Sequence, residues 1–148
     1  GIDFNRMLLI IAVLTKRAGL RLGNQDILVN AAGGLKIEEP AADLSIALSI
    51  ASSFYDSAVK QGLVALGEIG LSGELRSVSR IDQRISEAAR LGFRHCLTPR
   101  SGLKSLPPIK DLEIIPVSTV REAIFKGLIR VRRTKDEKNS SEPSFEEA

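Results

Sequence analysis

Residues 44–51, LSIALSIA, constrain the fold more than any other part of the chain. On a helix, Leu44, Ala47, Leu48 and Ala51 form one apolar stripe, with Ile46 and Ile50 beside it. A helix that is apolar nearly all round has no solvent face, so it must lie inside the domain. Its start is marked by Pro40, a favoured first helical residue, and by Glu38 and Glu39 ahead of it, which suit the positive end of the helix dipole. Upstream, residues 26–32 (DILVNAA) read as a short strand ending at Gly33-Gly34. Many folds place a nucleophile or an anion site in such a strand–turn–helix unit. Here the turn holds Ala41 and Ala42, which carry no reactive group.

The remaining elements alternate in type. Asp3 is a suitable N-cap for a helix over residues 4–18, with Met7, Ile11, Leu14 and Ala18 on one face and Gly19 as its stop. Lys16 and Arg17 suit its last turn. Residues 62–78 read as two strands around a turn in which LSGEL supplies the glycine. Ser79-x-x-Asp82 fits a capping box for a helix to about residue 91, with Ile81, Ile85, Ala88 and Ala89 inward and Gly92 as its end. Residues 94–98 and 112–117 are short strand candidates on either side of a loop with Pro107-Pro108. Thr119-x-x-Glu122 caps a last helix ending near Gly127. Residues 130–148 are polar and aperiodic, and read as a disordered tail after a domain over residues 1–129. The order α, β, α, β-β, α, β, β, α predicts a mixed α/β (α+β) domain, because the central hairpin breaks βαβ alternation.

Charge and composition exclude some classes. Lys and Arg number 21 against 18 Asp and Glu, a formal charge of +3. Residues 130–148 hold five of each sign, so the excess lies on the folded body. That balance permits nucleic-acid contact without demanding it. One Tyr and no Trp argue against stacking platforms for single strands. The lone cysteine, Cys96, excludes an internal disulfide and fits a reducing cytoplasm. His95 and Cys96 do not make a zinc site by themselves and read as part of a strand. The apolar run at residues 7–14 is too short to span a bilayer and follows no signal-peptide pattern, so no membrane partner is expected. A first residue of Gly1 suggests a piece of a longer protein.

No strict nucleotide-binding template occurs, and Gly33-Gly34 read as a strand end rather than a phosphate loop. Ser45 and Ser49 stand four apart on the apolar helix. Small hydroxyls there commonly bond back to the helix, and a serine–lysine pair built on Ser45 is the alternative. The basic residues form two groups, Lys16, Arg17 and Arg21 in one and Arg76, Arg80 and Arg84 in the other, with Arg80 and Arg84 on one helix face. Each fits a solvated face; together they are candidates for contacting DNA phosphates.

Three segments carry a family resemblance: NRMLLIIAVLTKRAGLRLGNQDILVNAAGG, KIEEPAADLSIALSIASS and GEIGLSGELRSVSRIDQRISEAARLGF. Together they resemble the C-terminal domain of the bacterial RadA (Sms) DNA repair family, a domain similar in turn to the proteolytic domain of Lon proteases. The resemblance implies a Lon-protease-like, ribosomal-protein-like two-layer domain. It also implies that the position of the Lon serine holds Ala41 and the position of its lysine holds Asp82, so both members of the protease dyad are missing. Without a hydroxyl no acyl intermediate forms, and the chain is expected to be no enzyme.

For the family as a whole, the resemblance implies a DNA repair and recombination ATPase that assembles into hexameric rings and promotes branch migration. ATP, magnesium and zinc are implied only for segments outside this chain, and no cofactor is expected within it. DNA, further copies of the chain and recombinase proteins are the implied partners. The alternatives are an oligomerisation module that does not touch DNA, and a peptidase using residues outside the dyad.

Overall fold

The computed structural model describes residues 3–22, 39–103 and 108–129. The strand expected at 26–32, Gly33-Gly34 and the tail at 130–148 lie outside the described residues. What is described is a mixed α/β domain. Helix α1 spans Phe4–Arg17, a short 3-10 turn spans Pro40–Ala42, and α2 spans Asp43–Tyr55. Strands β1 (Leu63–Ala65), β2 (Glu68–Ile69) and β3 (Leu75–Arg76) follow, then α3 (Ile81–Arg90), β4 (His95–Pro99), β5 (Glu113–Val117) and α4 (Val120–Gly127).

The strands make two sheets. One is parallel, in the order β1-β4-β5, and the other is the antiparallel pair β2-β3. The segment at 62–78 thus holds three strands rather than the two its pattern suggested. After β1, the Leu66 N–H donates to the Leu97 carbonyl, and Gly67 then turns the chain away to bond the turn at Ala41. A single apolar run therefore feeds two sheets.

Alternation along β4 explains why both faces of the parallel sheet are covered. Leu97 faces a core built from α1, α2 and α4, with Leu44, Leu48, Val117 and Ile124 among its members. Cys96 faces a smaller core with Ile85 of α3 and Leu112. Helix α2 buries most of its surface, with Leu44, Ile46, Ala47, Leu48, Ile50 and Ala51 all buried, and it keeps a narrow exposed edge at Ser45, Ser49 and Ser53. On α1 the buried face is Ile10, Val13 and Leu14, while Met7 and Ile11 are only half-buried, a rotation from the expected stripe. Arg6, one turn before Ile10, also reaches inward from this face to a buried carboxylate, which a hydrophobic pattern does not register.

The helix ends separate two expectations. Thr119 caps α4: its hydroxyl accepts from the Glu122 N–H at 3.1 Å, and Glu122 Oε1 accepts from the Ser118 N–H at 2.7 Å. The capping box at Ser79 and Asp82 does not form. Helix α3 is capped by Arg80, which takes a left-handed backbone (φ 57°) without a side-chain cap bond. The helix starts two residues after Ser79, so Asp82 falls on its second residue, and the Ser79 carbonyl instead accepts from Arg84 Nε at 2.8 Å.

Candidate functional site: the Pro40–Asp43 turn and the basic surface

The turn into α2 is built to be closed. Ala41 is 2% exposed and Asp43 is fully buried. Each N–H at this helix start that a substrate oxygen might have used has a partner. Glu39 Oε1 accepts from the Ala41 N–H at 3.2 Å, and the Glu39 carbonyl accepts from the Ala42 N–H at 3.0 Å. The Gly67 carbonyl accepts from the Leu44 N–H at 3.1 Å, and the Gly67 N–H donates to the Ala41 carbonyl at 3.0 Å. Gly67 lies close against Pro99 and Leu44: a Cβ there would stand 3.4 Å from the first and 3.5 Å from the second, ordinary contact distances.

Asp43 is the electrostatic centre of the turn. Arg6 Nε and Nη2 donate to its two carboxylate oxygens, each at 2.6 Å, and the Ile69 N–H donates to Oδ2 at 3.0 Å. The bidentate fork suits a planar guanidinium. These bonds raise the Arg6 pKa above its ordinary value, the hydrogen bond to Asp43 being the largest cause. The pair ties α1, α2 and β2 together. No sequence signal marks it: an acid in the first turn of a helix reads as a dipole partner, and Arg6 stands 37 residues away.

Beside the turn, an open groove of about 370 Å³ is lined by Glu39, Ala41, Ala42, Ser45, Arg84 and Phe93, among others. No lysine lines it. Ser45 is exposed, and its hydroxyl donates to the Ala42 carbonyl at 2.8 Å; Ser49 donates to the Ser45 carbonyl at 2.9 Å. Both serines thus bond back to their own helix. Asp82 is exposed on α3. Among the described residues no group of His, Cys, Asp and Glu is arranged to hold a metal ion. His95 Nδ1 lies 2.8 Å from Glu113 Oε1 at the start of β4, and Cys96 is buried, its thiol pushed up to about 11 by loss of water. Among the described residues no helix is long and apolar enough to cross a membrane.

The basic candidates divide by environment. Arg84 is half-buried and committed inward, with Nη2 3.2 Å from Glu39 in addition to its bond to Ser79. That ion pair links α3 to the turn. Arg76 is exposed on β3 and stands 3.7 Å from Glu74. Lys16, Arg17, Arg21 and Arg80 are exposed. The hairpin turn at Gly73 packs on Arg17, whose Cβ would lie 2.9 Å from a Cβ placed there. The end of α1 thereby meets the turn between β2 and β3.

Known proteins extend this picture. The family described as ChlI, subunit ChlI of Mg-chelatase, matches residues 6–102. The chain is 47% identical over 128 residues to the DNA repair protein RadA of Listeria monocytogenes, covering 86% of this chain and 28% of that protein. It is 50% identical over 128 residues to the RadA of Bacillus subtilis, with the same coverage. It is 52% identical over 124 residues to that of Halalkalibacterium halodurans, covering 84% of this chain and 27% of the relative. The chain thus spans less than a third of the length of these relatives. By the match over residues 6–102, the chain belongs to the family described as subunit ChlI of Mg-chelatase, and its relatives of about half identity bear the name DNA repair protein RadA.

Proposed function

We propose that this chain is a non-catalytic, Lon-like domain of a DNA repair protein, which binds DNA through its exposed basic residues and supports assembly of the whole protein into a ring. The observation that carries this reading is the identity of about half, across most of the chain, to proteins named DNA repair protein RadA. The turn supports the non-catalytic part. Acyl transfer needs a nucleophile, a base and free donors for the oxyanion. Ala41 offers a buried methyl, the N–H groups of Ala41, Ala42 and Leu44 are occupied, and Asp43 is held by Arg6. Asp82, at the position the resemblance gives to the lysine, is a carboxylate, lies exposed on α3 and does not line the groove.

The chemistry then belongs to the surface. Lys16, Arg17, Arg76 and Arg80 project from the body as phosphate contacts, while Arg84 serves the fold. ATP, magnesium and zinc have no role within this chain. One feature favours assembly: Phe4 and Leu8, one turn apart on α1, are both exposed.

Fluorescence anisotropy of a labelled duplex, titrated with the 148-residue chain, tests the DNA part. Binding at low salt that weakens as salt rises supports it. Closed oligomers in light scattering with no DNA binding at any salt would establish a purely structural module instead.

A further inference from the structure

At the tip of the β2–β3 hairpin, Leu71 is 71% exposed. The turn that presents it is tight. The Gly73 N–H donates to the Gly70 carbonyl at 3.0 Å, and the Gly70 N–H donates to the Glu74 carbonyl at 2.9 Å. Gly73 takes a left-handed backbone (φ +83°), the conformation that closes a three-residue hairpin loop and that glycine adopts without strain.

The hairpin is also held from several sides. The Ile69 N–H donates to the buried Asp43 carboxylate. The Leu75 N–H donates to the Ser118 carbonyl, and the Val120 N–H donates to the Gly73 carbonyl, both at 2.9 Å. Arg17 packs against Gly73. An exposed leucine is ordinary by itself. A leucine fixed at the tip of an anchored turn is a preformed apolar projection, which loses little freedom when it meets a partner.

The surrounding charge says what kind of partner. Lys16 and Arg17 are exposed at the end of α1, Arg76 on β3, Arg100 after β4, and Arg121 beside Val120. The nearby acids are Glu68, opposite Arg76 in the hairpin, Glu74, paired with Arg76, and Glu122, 3.6 Å from Arg100. Among these described residues, five cations stand against three acids; Arg17 reaches Gly73, and Arg121 follows Val120, whose N–H bonds the Gly73 carbonyl. Cations at the base of an apolar tip match a polymer with anionic edges and apolar faces. In an intact duplex those faces are hidden in the base stack; where strands separate they are open, and leucine is among the side chains that wedge against them.

We infer that the β2–β3 hairpin tip is a wedge site for DNA at a junction between paired and unpaired strands. Leu71 packs on the face of the last stacked base, and Lys16, Arg17, Arg76 and Arg121 hold the flanking phosphates. This inference rests on the DNA-binding reading above.

The test uses the whole 148-residue chain and two labelled DNAs of equal strand length, one forked and one blunt duplex, read by anisotropy at fixed salt. The wild type binds the fork more tightly, by roughly tenfold for one apolar contact at an open base step. Leu71→Ala and the polar Leu71→Gln remove that preference and leave duplex affinity unchanged. Lys16→Glu/Arg17→Glu weakens binding to both DNAs. Fork affinity within about twofold of wild type in both Leu71 variants, or equal losses on fork and duplex, overturns the wedge and leaves the DNA-binding reading standing. Failure of the wild type to bind either DNA overturns both.

Discussion

Arg6 grips both carboxylate oxygens of Asp43, and Asp43 stands two residues after Ala41 in the turn where the sequence prepares a site and supplies no reagent. A fully buried carboxylate held by a bidentate guanidinium and a backbone N–H is a structural joint. Removing one partner strands the other charge in the core. Arg6→Ala is expected to destabilise the chain by about 3–5 kcal/mol, and Asp43→Ala by a similar amount. Urea unfolding followed by circular dichroism reads both. Losses below about 1 kcal/mol would mean that the pair is not the joint described.

A hydroxyl placed at Ala41 is not expected to create chemistry. Ala41 is buried and the N–H groups around it are occupied, so Ala41→Ser adds a buried hydroxyl with no free N–H beside it. The expected outcome is a stability loss of about 1–3 kcal/mol with no labelling by a serine-directed fluorophosphonate. Labelling of the wild type that disappears in Ser45→Ala would instead revive a peptidase.

The two expected capping sites now differ in prediction. Thr119→Ala removes a bond to the Glu122 N–H, beside the point where α4 meets the hairpin, and should cost about 1 kcal/mol. Ser79→Ala removes no cap bond from α3, and its effect should stay within about 0.5 kcal/mol. Equal losses in thermal unfolding would contradict the assignment of the α3 start to Arg80.

Cys96 is buried between the sheet and α3, and loss of water holds its thiol up at about 11. Because the folded value is raised, the neutral thiol's contribution to stability is complete below the ordinary thiol range, near 9.0, and is lost as pH climbs toward about 11. At about pH 8 the native chain should not react with Ellman's reagent, and should release one thiol equivalent only when urea unfolds it. Prompt reaction of the native chain would show that Cys96 is accessible.

Much of the architecture was legible from local pattern. Helix α2 announces its burial because Leu44, Ile46, Ala47, Leu48, Ile50 and Ala51 leave only a narrow serine edge polar. The Thr119 cap and the glycine turn at Gly73 carry their chemistry within a few residues. What stayed hidden was long-range. Arg6 and Asp43 meet across 37 residues, and nothing in their spacing predicts it. Arg84 reads as a surface cation until Glu39 is seen 3.2 Å away. The division of residues 62–78 between two sheets depends on Leu66 bonding to Leu97, a partner supplied by β4. Periodicity reports which way a side chain points along its own element, and it is silent about which element waits on the other side.

We propose that function lies with the exposed cations and not with the Pro40–Asp43 turn. Duplex binding by the 148-residue chain across a salt series tests it most directly, comparing the wild type with Lys16→Glu/Arg17→Glu. The logarithm of the wild-type binding constant should fall linearly with the logarithm of salt concentration, with a slope of about −0.9 per phosphate contacted. The double variant should bind more weakly and flatten that slope by roughly 1 for each lost contact, without loss of fold. Wild-type binding that ignores salt, or a double variant with unchanged affinity and slope, would contradict the account.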